Sequence, residues 1–277
     1  MMIKQADILD DVRRALAEDV GTGDVTAALL PEQQWVEAKI FSREPLLVCG
    51  CPWVDAVFAE ISLEIKLNWV VKEGDWLAGP GDLCYLQGPA ADILTAERSA
   101  LNFLQTLSAT ATQTYLYLQQ LKGTKTRLLD TRKTLPGLRL AQKYAVACAG
   151  GTNHRMGLYD AFLIKENHIK ACGSITQAIE RARQSHSALP VEIEVETLDE
   201  LREALAAKPN RILLDNFSKA MLKEAVLINQ PYHCELEASG GIDLSTIGEL
   251  AQIGVDYISV GAITKSIKAI DLSLLIV

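Results

Sequence analysis

Histidine is scarce in this chain, and cysteine is never spaced for a zinc site or a disulfide scaffold. The 277 residues hold four His and six Cys, namely Cys49, Cys51, Cys84, Cys148, Cys172 and Cys234. With no C-x-x-C pair and no H-E-x-x-H, zinc ribbons and zincin-type hydrolases are disfavoured. G-x-G-x-x-G and G-x-x-x-x-G-K-[ST] are both missing, which argues against dinucleotide folds and P-loops, and no G-x-S-x-G elbow appears. Long apolar runs are missing too. The most apolar stretch, ITKSIKAIDLSLLIV, is interrupted by Lys265 and Lys268, well short of the ~18–20 residues of a membrane span. The first twenty residues are acidic and helix-patterned, without the apolar core of a signal peptide. A reduced, cytoplasmic protein is expected. A basic excess is also lacking: 27 Lys+Arg against 35 Asp+Glu give a net charge of −8. Such a chain is poorly suited to nucleic acid or anionic lipid. An anionic ligand must meet a local basic cluster.

What is present suits a folded core. Hydrophobic residues make up 49% and charged residues 22%, a globular composition for one large domain or two ordinary ones. Asp7 to Asp19 reads as an amphipathic helix, with Ile8, Leu9, Val12 and Leu16 on one face, ending at Gly21-Thr-Gly23. Strand-like runs follow at 35–41 and 64–71, then a helical pattern from Ala91 to about Lys122. Its Thr-rich stretch, Ser108 to Thr114, predicts a bend or break, and a domain boundary falls within this helix.

Beyond Thr126 the rhythm changes. Short apolar runs at 126–130, 161–165, 191–196, 211–215, 233–239 and 256–260 alternate with amphipathic patterns at 175–185, 198–207, 218–228 and 244–253. Alternating strand and helix implies parallel strands joined by right-handed crossovers. Each run ends on a polar or glycine cluster, as in a (β/α) barrel, where the strand C-terminal ends share one rim. Too few residues remain for eight strands, so the expectation is α/β with an incomplete (β/α) barrel of six or seven parallel strands. Its open seam needs a cover, from a partner subunit or from the N-terminal domain.

Each rim cluster has a plain reading and a functional one. Arg132 and Lys133 are either a solvated loop or an anion clamp. His154 is either a packed histidine or, with Arg155, part of that clamp. Lys165, beside His168 at a strand end, is buried unless it faces a ligand, and a buried lysine must be paired. Glu194 and Glu196 alternate along one run and so share a face; Glu196 is read as a helix cap. Asp215 with Asn216 suits Mg²⁺ or ribose hydroxyls, or Asn216 is an N-cap. Ser239, Gly240 and Gly241, then Val260, Gly261 and Ala262, form glycine turns whose amides and following helices favour phosphate. Together they describe a cationic pocket in an acidic protein, fit for a ligand with several negative charges. A Schiff-base lysine at Lys165, as in an aldolase, is a competing chemistry.

The strings ERSALNFLQTLS (97–108), DTRKTLPGLR (130–139), KYAVACAGGTNHRMGLYDAFLIKENH (143–168), EIEVE (192–196), LLDN (213–216), EASGG (237–241) and GVDYISVGAITKS (254–266) closely resemble the quinolinate phosphoribosyltransferase family. The likeness runs in order along nearly the whole chain. KENH separates it from the related proteins of molybdenum-transport operons, and the number of cations separates it from enzymes acting on plain nicotinate. The resemblance implies conversion of quinolinate and phosphoribosyl pyrophosphate to nicotinate mononucleotide, pyrophosphate and CO₂. It implies an N-terminal α/β sandwich domain over 1–108, with the tail 268–277 packing on it, and the incomplete barrel over 109–267. It implies a homodimer in which one subunit's N-terminal domain covers the other's barrel. By motif match, Arg98 of a neighbouring subunit, Thr131, Arg132, His154, Arg155 and Lys165 would hold quinolinate. Lys133, Glu194 and Asp215 would face the sugar pyrophosphate and its Mg²⁺, and Ser239–Gly241 with Val260–Ala262 its phosphate; no organic cofactor is implied. Catalytic roles fall on Lys133, Lys165, Glu194 and Asp215. Ala149 and Ala109 replace glycines common in the family, without loss of charge.

Overall fold

The computed structural model describes residues 3–31 and 34–277. The first stretch of chain forms α1 (Gln5–Asp19), β1 (Trp35–Ser42), β2 (Leu46–Leu47), α2 (Cys51–Ile61), β3 (Lys66–Trp69), β4 (Trp76–Leu77), β5 (Gly81–Pro89) and α3 (Ala90–Gln120). There follow β6 (Arg127–Leu129), α4 (Arg139–Cys148), β7 (Phe162–Ile164), α5 (Glu166–Cys172), α6 (Ile175–Ser185), β8 (Val191–Val195), α7 (Leu198–Ala207) and β9 (Arg211–Asp215). The chain finishes with α8 (Lys219–Asn229), β10 (Glu235–Ser239), α9 (Ile247–Ala251), β11 (Tyr257–Ser259), α10 (Ala262–Lys265) and β12 (Leu272–Ile276). It divides into two compact units. One takes in the chain up to Tyr115, Leu135–Gly150 and Ser266–Val277; the other takes in Leu116–Thr134 and Gly151–Lys265.

The first unit is built on an antiparallel sheet in the order β12-β1-β5-β3, with β2 and β4 as a separate short pair. Along β1 the buried positions are Ala38, Ile40 and Ser42, the two-residue period of a strand with one covered face. Trp53 and Phe58 of α2 and Leu101, Leu104 and Leu107 of α3 fill the core beneath it, each contributing roughly 1.5–3 kcal/mol by burial. Trp53 keeps its polar edge satisfied, its Nε1–H donating to Asp11 of α1 at 3.2 Å.

The break expected in α3 is not there. Thr114 Oγ1 donates to the carbonyl of Thr110 at 2.8 Å and Thr110 Oγ1 to that of Thr106 at 3.2 Å. The hydroxyls close on their own helix and leave its ladder intact. A second difference concerns 135–150, read from sequence as part of the barrel. It folds with the first unit, where Gln142 is fully buried, its Nε2 donating to Thr110 and its Oε1 accepting the Leu135 N–H at 2.7 Å.

The second unit is a six-stranded, all-parallel sheet in the order β6-β11-β10-β9-β8-β7. Six strands cannot close the barrel that eight would, and β6 and β7 form the two edges; Thr152 adds a single bridge to Leu129 of β6. Where strands give way to helices, the sequence supplies caps. Ser174 accepts from Gln177 N–H, Ser218 from Met221 N–H, and Thr197 with Glu200 forms a reciprocal capping box. The cap expected of Glu196 therefore belongs to Thr197, with Glu196 donating only its backbone N–H to Glu200. Ser218, two residues past Asn216, caps α8.

Candidate active site

Parallel strands with a common direction present their C-terminal ends together, and a cavity of about 460 Å³ opens there within the second unit. Its wall comprises Thr131, Arg132, Lys133, His154, Arg155, Leu163, Lys165, Glu194, Leu213, Asp215, Glu237, Ser239 and Ser259. The period-two rule explains the pairs 163/165, 213/215 and 237/239: residues two apart on a strand point to one side. Glu194 shares its face with Glu192, which lies inside β8, and not with Glu196, which lies beyond the strand end.

The cations are held in place by other parts of the same unit. Asp130, fully buried at the end of β6, accepts the His154 N–H at 2.8 Å and an Asn153 amide hydrogen at 2.7 Å. This fixes the loop that carries His154 and Arg155. Arg155 Nη1 donates to the Ala161 carbonyl at 3.2 Å. Burial and the neighbouring Arg132 charge make the Arg155 guanidinium less basic than usual, with Glu192 opposing them. Lys165 ion-pairs with Glu194, and its N–H donates to His168 Nδ1 at 3.0 Å. Thr131 Oγ1 accepts the Lys133 N–H at 3.0 Å, while the Lys133 carbonyl accepts the Thr264 hydroxyl at 2.7 Å.

Beneath the cations lies a buried acidic floor that sequence reasoning missed. His154 Nε2 stands 3.1 Å from Glu192 and 3.5 Å from Glu237. Burial disfavours the charged imidazole, but the Glu192 hydrogen bond and the charges of Glu237 and Glu192 raise its pKa overall. Its Nδ1 accepts the Arg155 N–H at 2.8 Å, which assigns the ring proton to Nε2. Burial and the Glu192 charge push Glu237 up to about 8, which favours its protonated form. Glu192 resists its own burial through His154 and Arg211 and stays below its ordinary value. Arg211 Nη1 reaches Glu237 at 3.3 Å, and its guanidinium stacks over Tyr257 at 3.9 Å. Both His154 nitrogens have partners within the protein, and the ring also lines the cavity. The signal for Glu237 was its two-residue spacing from Ser239.

Asn216 is neither cap nor cavity wall. It adopts a left-handed conformation with φ of 55°, donates its side-chain amide to Asp215 at 2.8 Å and its N–H to the Ser239 carbonyl at 2.9 Å. Gly240, with φ of 101°, lies so close that a Cβ there would stand 2.1 Å from Asn216 Oδ1. Gly241, Val260, Gly261 and Ala262 lie next to the wall in sequence without belonging to it. The helices after the glycine turns are short or distant: α9 starts at Ile247 and α10 has four residues. Any phosphate grip there rests on backbone amides rather than on a helix dipole. Arg98 is on α3 in the first unit, half-exposed, 3.9 Å from Glu97.

The sequence matches two family descriptions, the N-terminal domain of quinolinate phosphoribosyl transferase over residues 24–108 and the C-terminal domain over 110–275. A probable carboxylating nicotinate-nucleotide pyrophosphorylase of Bacillus subtilis is 40% identical over 93% of this chain and 89% of its own length. The carboxylating nicotinate-nucleotide pyrophosphorylase of Mycobacterium leprae is likewise 40% identical, over 96% and 95%. Among solved structures, the nicotinate-nucleotide pyrophosphorylase of Francisella tularensis superposes with a TM-score of 0.94 at 46% identity, covering 100% of this chain and 98% of its own.

Proposed function

The chain belongs to the quinolinate phosphoribosyl transferase family, and on that premise we propose that it joins quinolinate to the ribose of phosphoribosyl pyrophosphate with loss of CO₂, a step of NAD biosynthesis. The products are nicotinate mononucleotide, pyrophosphate and CO₂. One observation supports this above the others: four cations, Arg132, Lys133, Arg155 and Lys165, share one cavity with Glu194 and Asp215 in a chain of net charge −8. A diacid beside a diphosphate-activated sugar needs that combination of charges.

Arg132 and Arg155 offer planar forks for the two quinolinate carboxylates, with Lys165 beside them. Mg²⁺ bound to the sugar diphosphate would neutralise the departing pyrophosphate. Glu194 and Asp215, on adjacent strands β8 and β9, present the hard oxygens that Mg²⁺ or the ribose hydroxyls favour. As pyrophosphate leaves, positive charge develops at the anomeric carbon, and fixed carboxylates stabilise it. The pyridine nitrogen, held in place by the carboxylate clamps, attacks that carbon; positioning lowers the barrier. The C–CO₂⁻ bond next to the now cationic nitrogen then breaks. Its electron pair stays at the ring carbon until a proton replaces CO₂. Backbone amides of Ser239–Gly241 and Val260–Ala262 take the 5′-phosphate.

The functional unit is a homodimer in cytoplasm, with Arg98 reaching the partner's cavity. The six free cysteines fit a reducing compartment, and no helix among the described residues is long and apolar enough to cross a membrane. The deciding assay supplies quinolinate labelled on its 2-carboxylate, phosphoribosyl pyrophosphate and Mg²⁺. Equal release of labelled CO₂ and nicotinate mononucleotide is expected. Turnover of nicotinate in place of quinolinate, or no release at all, overturns the reading.

A further inference from the structure

Away from the cavity, the first unit brings two thiols and a carboxylate to one point. The Sγ atoms of Cys49 and Cys148 and an oxygen of Glu73 all lie within 4.8 Å of one another. Cys49 follows β2, Glu73 precedes β4 and Cys148 ends α4, so no short spacing in the sequence announces the group.

Backbone bonds hold two of the three together. Val48 N–H donates to the Asp75 carbonyl at 2.9 Å, and Gly74 N–H to the Val48 carbonyl at 2.8 Å. Glu73 accepts the N–H groups of Gly50 and Cys51 at 2.8 and 3.0 Å, one on each oxygen, and its side chain also hydrogen-bonds with Cys49, Cys51 and Tyr144, whose hydrogens a bound cation would displace. The Cys148 thiol is half-buried, beside Gly74. It sits at the carbonyl end of the ten-residue helix α4, the end that favours a cation. Cys49 is fully buried. Its hydrogen bond with Cys148 makes the Cys148 thiol more acidic, while burial pushes Cys49 up.

We propose that Cys49, Cys148 and Glu73 bind one thiophilic divalent cation of the Zn²⁺ class, with water in the fourth position. Around tetrahedral zinc, Zn–S near 2.3 Å and Zn–O near 2.0–2.2 Å set the donors about 3.3–3.8 Å apart. Three donors within 4.8 Å reach that spacing with shifts of about an ångström. Two thiolates are the soft ligands that select zinc over magnesium or calcium, and binding releases the thiol protons. A bound ion pins the end of α4, from which Gly150 and Gly151 lead to the His154–Arg155 loop.

The test uses the full-length, reduced, chelator-stripped protein. Titration with Co²⁺ is expected to give a thiolate-to-metal charge-transfer band that saturates at one equivalent and disappears on adding Zn²⁺. Zn²⁺ is expected to raise Tm and to shield Cys148, but not the similarly half-buried Cys172 and Cys234, from alkylation mapped by mass spectrometry. Cys148→Ser should abolish the band, and Cys172→Ser should keep it. The proposal is overturned by sub-stoichiometric uptake, by a band that survives Cys148→Ser, or by shielding of other cysteines. Should Cys148→Ser fail to fold, the alkylation map of the unaltered protein decides. A Cys49–Cys148 disulfide formed with peroxide, in a protein that takes up no metal, also overturns it.

Discussion

Arg132 stands close enough to Arg155 for its charge to be felt there, and Glu192 opposes that effect. Pre-assembled in this way, the pair meets a dicarboxylate with little reorganisation. Arg132→Ala is expected to raise KM for quinolinate by about 10- to 100-fold, the worth of one charge-assisted contact, while KM for the sugar diphosphate moves far less. Steady-state kinetics with each substrate varied in turn checks this; equal shifts in both constants would count against a dicarboxylate clamp. The floor below has its own signature. Burial and the Glu192 charge push Glu237 up to about 8 in the fold, from 4.5 as its ordinary value. Between those values the folded state binds the proton more tightly than the unfolded chain. Its contribution is complete below about 4.5 and drains away as pH rises to about 8. Glu237→Gln removes this slope, so its Tm relative to the unaltered protein should climb across the window and then level off. A difference that stays constant from pH 5 to pH 8 would contradict the assignment of the proton. The reason sequence inspection passed over Glu192 and Glu237 is physical. Acids are ordinarily exposed, and only the fold brings Arg211 and the His154 Nε2–H against them.

At the scale of elements, the strands were legible because each is an apolar run closed by a polar or glycine cluster, and β9 falls on 211–215 as the pattern indicated. The helices at 175–185 and 198–207 likewise coincide with their patterns. Linkage between strand ends was not legible. The Asn216–Asp215–Ser239 link joins the ends of β9 and β10, and Gly240 is a glycine because Asn216 occupies the space a side chain would need. Gly261 is different: a Cβ there would stand 3.0 Å from the Cδ of Lys133, a flexible stem, with no positive φ. Gly240→Ala should therefore displace Asp215, raising KM for the sugar diphosphate and cutting kcat by tenfold or more, on the order of a misplaced catalytic group. Gly261→Ala should cost only a few-fold. Similar losses from the two substitutions would show that the link does not position Asp215. The unbroken α3 teaches the same lesson from the other side, since threonine hydroxyls that weaken a helix in isolation find partners within it.

For the whole molecule, the proposed exchange of Arg98 between subunits has a direct genetic reading. Arg98→Ala and Lys165→Ala should each abolish turnover alone, while mixing and re-equilibrating the two should restore up to about a quarter of the activity, because half of randomly paired dimers are mixed and each holds one intact cavity. Mixed dimers confirmed by native mass spectrometry that remain inactive would rule out a shared site. The pairing of β12 with β1 carries a consequence for biosynthesis. A ribosome releases every strand of the parallel sheet before it delivers the partner that β1 requires. The sheet of the first unit must wait with an uncovered edge while roughly two hundred intervening residues are translated. During that interval the nascent chain is a natural client for chaperones, and stalled or prematurely terminated products would expose β1 to illegitimate pairing.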